Sequence, residues 1–322
     1  MTDYADLGHG IHRITLPLPI PQLRSVNCYL FEGPGGVTVL DCGANTTEGH
    51  EILVQGLGHA GFGITEVDRL IGTHLHPDHI GLSQRFVRET EAEFVLHSRA
   101  AAAIPLYNDW TIRFRQLAAW FRPHGAPASM VEELEADDVR PDWAGEADPP
   151  STTVEDGAKI PLGPDRWLEV VYTPGHEVNH ICVIDSRTGL LFSGDHVLPR
   201  ITPFVPYVEG TDTLGQYLES LERIELLDPG VTHPAHGTVI DRGRARARQI
   251  TLHHERRLGA MLHELRTGPK TAWQVMEAVF RPNLMGFEQR LAIQETLAHL
   301  EYLRGQGQAS RFWEDDLWWY RR

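Results

Sequence analysis

The residues best suited to chemistry lie in one short segment, His74-Leu75-His76-Pro77-Asp78-His79, which sets three imidazoles and a carboxylate within six positions. Imidazole and carboxylate, with no thiolate beside them, are donors that suit a borderline divalent cation such as zinc. An alternating His-x-His at a strand end aims both rings the same way, and the turn after it lets Asp78 and His79 face back. One segment can therefore serve two metal ions. At this chain's own His and Asp content the pattern arises by chance in about three such sequences in a thousand. Three later loops, each following an apolar run, add further ligand types: Thr173-Pro174-Gly175-His176, Ser193-Gly194-Asp195-His196 and His233-Pro234-Ala235-His236-Gly237. Each alone would pass for a surface loop, so the argument rests on the set.

The elements that must carry these loops follow from periodicity. Ile11 to Leu16, Val26 to Phe31 and Val37 to Leu40 are short apolar runs, the last two joined by Glu32-Gly33-Pro34-Gly35-Gly36, which predicts a hairpin. Thr47 to Leu57 predicts a helix, and Val67 to Thr73 a strand leading into the His-rich segment. Phe94 to Leu96, Leu168 to Tyr172, Ile181 to Ile184 and Leu190 to Phe192 are further strands, so strands and helices interleave as in a layered α/β domain. Residues 100–163 break the series with an aromatic helix (Trp110, Phe114, Leu117, Phe121) and an acidic stretch, and are expected to form an insertion over one face. The aromatic stripe is expected to pack against the body.

Beyond Thr211, the expected N-cap, Leu214, Tyr217, Leu218, Leu221 and Ile224 form a helical stripe. A second long helix carries Arg242, Arg244, Arg246, Arg248, Arg256 and Arg257. The tail predicts two more helices, Thr271 to Phe280 and Phe287 to Arg304, and a hairpin from Ser310 to Tyr320 that turns at acidic residues. Three helices ending in a hairpin suggest a winged-helix-like unit. The expected division is a catalytic domain at 1–250 and a C-terminal domain at 251–322.

Composition narrows the classes. The 322 residues carry 29 Lys+Arg against 44 Asp+Glu, a formal charge of -15, which argues against a general binder of nucleic acid or anionic membranes. No run approaches the roughly 20 apolar residues of a membrane span, and the first residues lack the features of a signal peptide, so a cytoplasmic location is expected. Cys28, Cys42 and Cys182 are too scattered for a disulfide framework and are expected to be small buried apolar groups. Two motifs are decoys. His176-Glu177-Val178-Asn179-His180 fits the helical zinc-protease pattern, but Pro174-Gly175 and the run from Ile181 leave no room for a helix. Gly56-Leu57-Gly58-His59-Ala60-Gly61 fits a dinucleotide fingerprint but closes a helix instead of following a strand. No Gly-x-Ser-x-Gly elbow is present. Asp41, at the end of an apolar run, is a candidate to accept a hydrogen bond from a ligating imidazole or to cap a turn. For His180, His196 and His233 a structural or surface role is expected.

The order of motifs, His-x-His-x-Asp-His, a Gly-His loop, a Gly-Asp loop and a final His-Gly, resembles the metallo-β-lactamase superfamily over about residues 10–245. That resemblance implies an α/β fold, a four-layer αββα sandwich. It implies two zinc ions per chain, one held by His74, His76 and His176, the other by Asp78, His79 and His236, with Asp195 between them. Iron or manganese in one position is left open. It also implies a hydrolase in which a hydroxide bridging the metals attacks an ester-type carbonyl, Asp78 and Asp195 being the carboxylates of the catalytic centre. Two Zn²⁺ against Asp78, Asp195 and hydroxide leave a net positive centre that activates water. True β-lactamases of this superfamily place a Cys near the Asp195 position, so a drug-destroying enzyme is not expected.

The Thr173–His176 and Ser193–Asp195 loops look like those of glyoxalase II and its acyl-thioester hydrolase relatives. With its helical tail the chain resembles the branch that carries a C-terminal winged helix and includes β-lactamase-like protein 2, some members of which cut single-stranded RNA. A thioester such as an acyl-CoA is the expected small-molecule substrate. The alternatives are a zinc-dependent endoribonuclease or phosphodiesterase guided by the Arg-rich helix, and a lactonase. The charge of -15 weighs against long RNA. The hairpin, rich in Trp and acid (Trp313, Glu314, Asp315, Asp316, Trp318, Trp319), is a poor DNA reader and is expected to pack on the main domain or on a second subunit, which leaves a homodimer open.

Overall fold

In the computed structural model, which describes residues 3–20, 23–136 and 140–322, two β-sheets face each other. The first holds seven strands in chain order: β1 (Asp3–Gly8), β2 (Ile11–Pro17), β3 (Ser25–Glu32), β4 (Val37–Leu40), β5 (Val67–Ile71), β6 (Glu93–His97) and β7 (Thr152–Val154). β1 to β4 are antiparallel, and β4 to β7 run parallel. The second sheet holds β8 (Lys159–Gly163), β9 (Arg166–Tyr172), β10 (Ile181–Asp185), β11 (Leu191–Gly194) and β12 (Thr232–Pro234), with only the β11–β12 pair parallel. Ile11, Phe31, Ile71 and Val95 meet Leu168, Val170, Ile181 and Phe192 between the sheets. All four residues of β4, Thr38 included, are buried, as covering on both faces of the sheet requires.

Helices cover the outer faces. α1 (Thr47–His59), α2 (Pro77–Ile80), α3 (Ser83–Thr90) and α4 (Ser98–Asn108) lie on the side of the first sheet, where Leu53, Leu57, Phe86 and Ile104 pack with Ile14, Val39 and Leu70. α5 (Trp110–Phe121), α6 (Ala128–Ala136), α7 (Thr213–Leu227), α8 (Gly243–Glu264), α9 (Ala272–Val279) and α10 (Phe287–Gly305) share the core of the second sheet's outer face. The hairpin of β13 (Ser310–Glu314) and β14 (Leu317–Arg321) turns through Asp315 and Asp316, both at positive φ, as a two-residue primed turn requires.

The C-terminal unit of α8 to β14 has no core of its own: Phe121 and Met130 of the 98–151 segment, Tyr217 and Leu221 of α7, and Ile293 and Tyr320 of the tail form one cluster. Tyr320 stacks on His124 and donates to Glu301 at 2.9 Å, so the hairpin packs on the main body as expected. The three cysteines are buried and unpaired. No helix among the described residues is long and apolar enough to cross a membrane.

The structure adjusts three expectations. The strand series resumes inside the segment read as an insertion, because β7 pairs with β6 and β8 opens the second sheet; three and five residues are too short to announce themselves by alternation. The N-cap of α7 is Asp212, whose carboxylate accepts from Gly215 N at 2.9 Å, and not Thr211. β5 ends at Ile71, so His74 and His76 lie in the loop beyond the strand, and Asp78 and His79 sit on the single turn of α2.

Candidate metal centre

Strand ends deliver every candidate ligand to one edge of the sandwich. In the first sheet β4 leads to Asp41 and β5 leads through Thr73 to His74 and His76; Pro77 then opens α2, its fixed φ suiting the first helical position. In the second sheet β9 leads to His176, β11 to Asp195 and β12 to His236. Two glycines make the approach possible. A Cβ on Gly175 (φ +134) would lie 2.3 Å from Tyr217 Cβ, and one on Gly194 (φ +48) would lie 2.7 Å from His180 Nε2.

All seven predicted ligands converge in two groups whose donor atoms lie close enough to hold a metal ion: His74, His76, His176 and Asp195 in one, Asp78, His79 and His236 in the other. In the first, His76 Nδ1 is 2.9 Å from His74 Nε2 and 3.1 Å from His176 Nε2, and His176 Nε2 is 3.7 Å from Asp195 Oδ2. In the second, His236 Nε2 is 3.2 Å from Asp78 Oδ2, and Asp195 Oδ1 lies 3.3 Å from His236 Nε2 and 3.5 Å from His79 Nε2. The two oxygens of Asp195 thus face different groups.

The other ring nitrogens explain why these atoms seek a cation. His79 Nδ1 donates to Asp41 Oδ2 at 2.8 Å, His176 Nδ1 to Phe204 O at 2.6 Å and His236 Nδ1 to Ser25 O at 2.7 Å. Thr73 Oγ1 donates to Asp41 Oδ2 at 2.9 Å and is left to accept from His74 Nδ1 at 3.0 Å. With the proton on Nδ1, each Nε2 presents a lone pair to the centre, the tautomer that metal-bound imidazole adopts. His79 Nε2, His236 Nε2 and Asp195 Oδ1 are buried without a hydrogen-bond partner among the described residues. Lone pairs aimed at carboxylate oxygens repel unless a positive ion lies between them, so the donor set fits a pair of divalent cations.

The electrostatics are those of groups that, with no cation between them, would share protons instead. Burial would raise Asp78, but the His79 and His236 imidazoles outweigh it and hold the carboxyl at about 2. Burial would likewise raise Asp195, yet His236 and His79 hold it well below the usual carboxylate range. Burial would lower His236, but Asp195 and then Asp78 push it up to about 10; His79 also rises, driven by Asp195, Asp41 and Asp78 against its burial. On the other side of Asp195, burial and then neighbouring imidazoles push His74 and His76 well below the ordinary value, which keeps their lone pairs available.

Asp41 accepts from Thr73 N, Thr73 Oγ1 and His79 Nδ1, at φ +59. Of the two roles weighed for it, orienting an imidazole is the one its geometry performs. His180 lies in a loop and not on a protease-type helix; its Nε2 accepts from Asp195 N at 3.1 Å and its Nδ1 meets Thr173 Oγ1 at 2.8 Å, so it fixes the Asp195 loop. His196 lies edge-on to Tyr217, whose hydroxyl donates to His196 O at 2.8 Å, and His233 stacks on Phe192. All three are buried, so none has the surface position that was one of the two expectations for them. Reasoning from sequence missed Thr73 and the part that Tyr217 plays here; the one signal for Tyr217 was its place in the α7 stripe, which marks a core residue and nothing more.

Facing sheets with a two-group donor set at the strand ends define a metal-dependent hydrolase. Residues 21–236 match the metallo-beta-lactamase superfamily and residues 258–322 a metallo-beta-lactamase-like C-terminal domain, so the chain belongs to the metallo-beta-lactamase superfamily and is a hydrolytic enzyme. Its relatives give more detail. It is 27% identical to the probable metallo-hydrolase YqjP of Bacillus subtilis over 321 residues, 96% of this chain and 97% of that one. The crystal structure of the metallo-beta-lactamase family protein TTHA1429 from Thermus thermophilus is similar at a TM-score of 0.79 and 31% identity, covering 98% of this chain and 100% of that one. A shorter match, 30% identical over 149 residues, links 41% of this chain to 44% of the atrochrysone carboxyl ACP thioesterase of Aspergillus fumigatus.

Proposed function

We propose that this enzyme is a dinuclear zinc hydrolase that cleaves a small thioester, such as an acyl-CoA. The observation that carries the reading is the sharing of Asp195 between two groups of convergent lone pairs. In this reading His74, His76 and His176 hold one zinc, Asp78, His79 and His236 the second, and Asp195 both. When bound, such a pair of cations activates water and steadies negative charge on a carbonyl oxygen.

The protein's own residues do the rest. Asp41 fixes the His79 ring through Nδ1, and the Phe204 and Ser25 carbonyls fix His176 and His236 in the same way. His180 holds the main chain of Asp195, so the shared carboxylate keeps both oxygens on line. Asp78 and Asp195 carry the negative charge that keeps the centre's net charge low enough to be buried. A thioester is supported by the partial likeness to an acyl-carrier thioesterase. The division into a catalytic domain at 1–250 and a winged-helix-like unit at 251–322 belongs to the same proposal, as does a cytoplasmic location.

RNA is the weaker substrate. Arg246 donates to the carbonyls of Leu198 and Ile201, Arg257 pairs with Glu295, and Arg244 and Arg248 face Asp228 and Glu255, so most of the Arg-rich helix is already engaged. The test is a panel of thioesters, lactones and RNA oligomers presented to the zinc-loaded protein. Release of free thiol from an acyl-CoA is the expected result; cleavage of RNA alone, with steep salt dependence, would overturn it.

A further inference from the structure

α5 presents two donors that no side chain among the described residues satisfies, and one of them lies close enough to His76 for its charge to act there. Arg113 is a partly buried guanidinium held over the Trp110 ring, 5.5 Å from its centroid. Among the described residues no side chain accepts a hydrogen bond from it and no carboxylate lies within ion-pair distance. Beside it, Trp110 Nε1 is buried with no hydrogen-bond partner among the described residues. The place is fixed by its neighbours. The Arg113 charge is felt at the metal-ligand candidate His76, at Glu177, which follows His176, and at Tyr107, itself within reach of Asp78. Glu177 is a poor counter-ion, because burial pushes its carboxyl up and its Oε2 is taken by Asn179 N at 3.0 Å. Tyr107 is also spoken for, since its hydroxyl donates to Ala144 O at 2.8 Å.

A buried indole N–H without a partner is costly, and beside it the partly buried Arg113 guanidinium has its donors free for a ligand. An anionic oxygen group would engage both, since guanidinium takes carboxylate or phosphate in its fork and an indole N–H adds one more bond. We infer that Arg113 and Trp110 Nε1 form an anion-binding subsite beside the metal centre, and that the substrate carries a carboxylate or phosphate within reach of its scissile bond. This deepens the hydrolase reading and rests on it for the word substrate. It also gives α5 a role beyond packing, in selecting among esters.

Two pairs of thioesters test the subsite and separate its sources. Succinyl- and butyryl-N-acetylcysteamine differ by a carboxylate in place of the terminal methyl of the acyl chain; 3-phosphonopropionyl- and 4,4-dimethylpentanoyl-N-acetylcysteamine differ by a phosphonate in place of a tert-butyl group of similar shape. The zinc-loaded wild type is expected to prefer the charged member of one pair, and Arg113→Gln to lower that preference in kcat/KM by roughly tenfold to a hundredfold, mostly through KM. Arg113→Lys should restore part of the preference, and Trp110→Phe should lower it by a smaller factor. No preference in either pair, or an Arg113→Gln loss equal for all four esters, would overturn the subsite while leaving the hydrolase reading intact. If wild type turns over none of the four, the thioester reading fails and the subsite is still tested. Calorimetric titration of succinate against butyrate, and of 3-phosphonopropionate against 4,4-dimethylpentanoate, must then show tighter binding of one member carrying the extra anionic group, an advantage that Arg113→Gln removes, and equal binding would overturn it.

Discussion

Two buried clusters in this molecule contain histidine and carboxylate at metal-binding separation, and they are assembled in opposite ways. Around Asp195 the imidazoles turn their protons outward to Asp41, Phe204 O and Ser25 O and turn their lone pairs inward. Between α8 and α10, His254, Glu295 and His299 also bring donor atoms within metal-holding range. There, however, His299 Nδ1 donates to Glu295 O at 2.6 Å, which leaves its Nε2 to accept from His254 Nδ1 at 3.0 Å, while Arg257 donates to Glu295 Oε1 at 3.0 Å. Only His254 Nε2 is left there buried without a partner among the described residues, and a single free lone pair does not make a metal site. Three carboxylates, Asp41, Asp78 and Asp195, face the first cluster; the second has one, already neutralised by an arginine. Donor type alone does not make a metal centre: the direction of the protons and the local charge decide.

The contrast predicts a ranking of effects. Asp195→Ala should be most severe, because both groups lose a ligand; turnover should fall on the order of a thousandfold or more, with loss of bound metal seen by elemental analysis. Asp41→Asn leaves the ligands in place but removes the carboxylate that fixes His79, and should weaken metal binding about 10- to 100-fold in a chelator competition. His299→Ala should leave metal content unchanged and lower stability by about 1–3 kcal/mol in urea, as a buried hydrogen-bond chain is broken. A fall in bound metal in that variant would make the two clusters alike and break the comparison.

The smallest effect concerns pH. Burial pushes Glu295 from its ordinary 4.5 up to about 7, with Arg257 pulling the other way. The folded state thus holds a proton that the unfolded chain releases, so this contribution to stability is complete below about 4.5 and is lost as the pH rises through 7. Wild type should therefore lose stability relative to Glu295→Gln between about pH 5 and pH 8 in urea titrations. A constant difference across that range would remove Glu295 as its source.

Much of the centre was legible in the sequence, for an identifiable reason. Asp78 and His79 are neighbours and His74, His76 and Asp78 alternate, so local spacing already confines them to one small volume. His176, Asp195 and His236 were legible because each follows a strand-like run and a Gly or Pro that frees the chain to turn. Asp41 was half legible: its position at a strand end was visible, its partner His79 was not, because that pairing depends on β4 and β5 lying side by side. Arg113 was not singled out and Trp110 was read only as part of a packing stripe, since an arginine and a tryptophan on an amphipathic helix look like surface and core until the fold shows which of their donors lack a partner. The same holds for His254 and His299, brought together by the packing of α8 on α10 and by nothing in either helix alone.

Everything turns on whether the seven side chains hold two ions, and elemental analysis of purified wild type beside Asp78→Ala and His299→Ala asks this directly. The expected result is two equivalents of zinc per chain in wild type and in His299→Ala, and about one in Asp78→Ala. Wild-type protein free of transition metal, or full metal content in Asp78→Ala, would contradict the account.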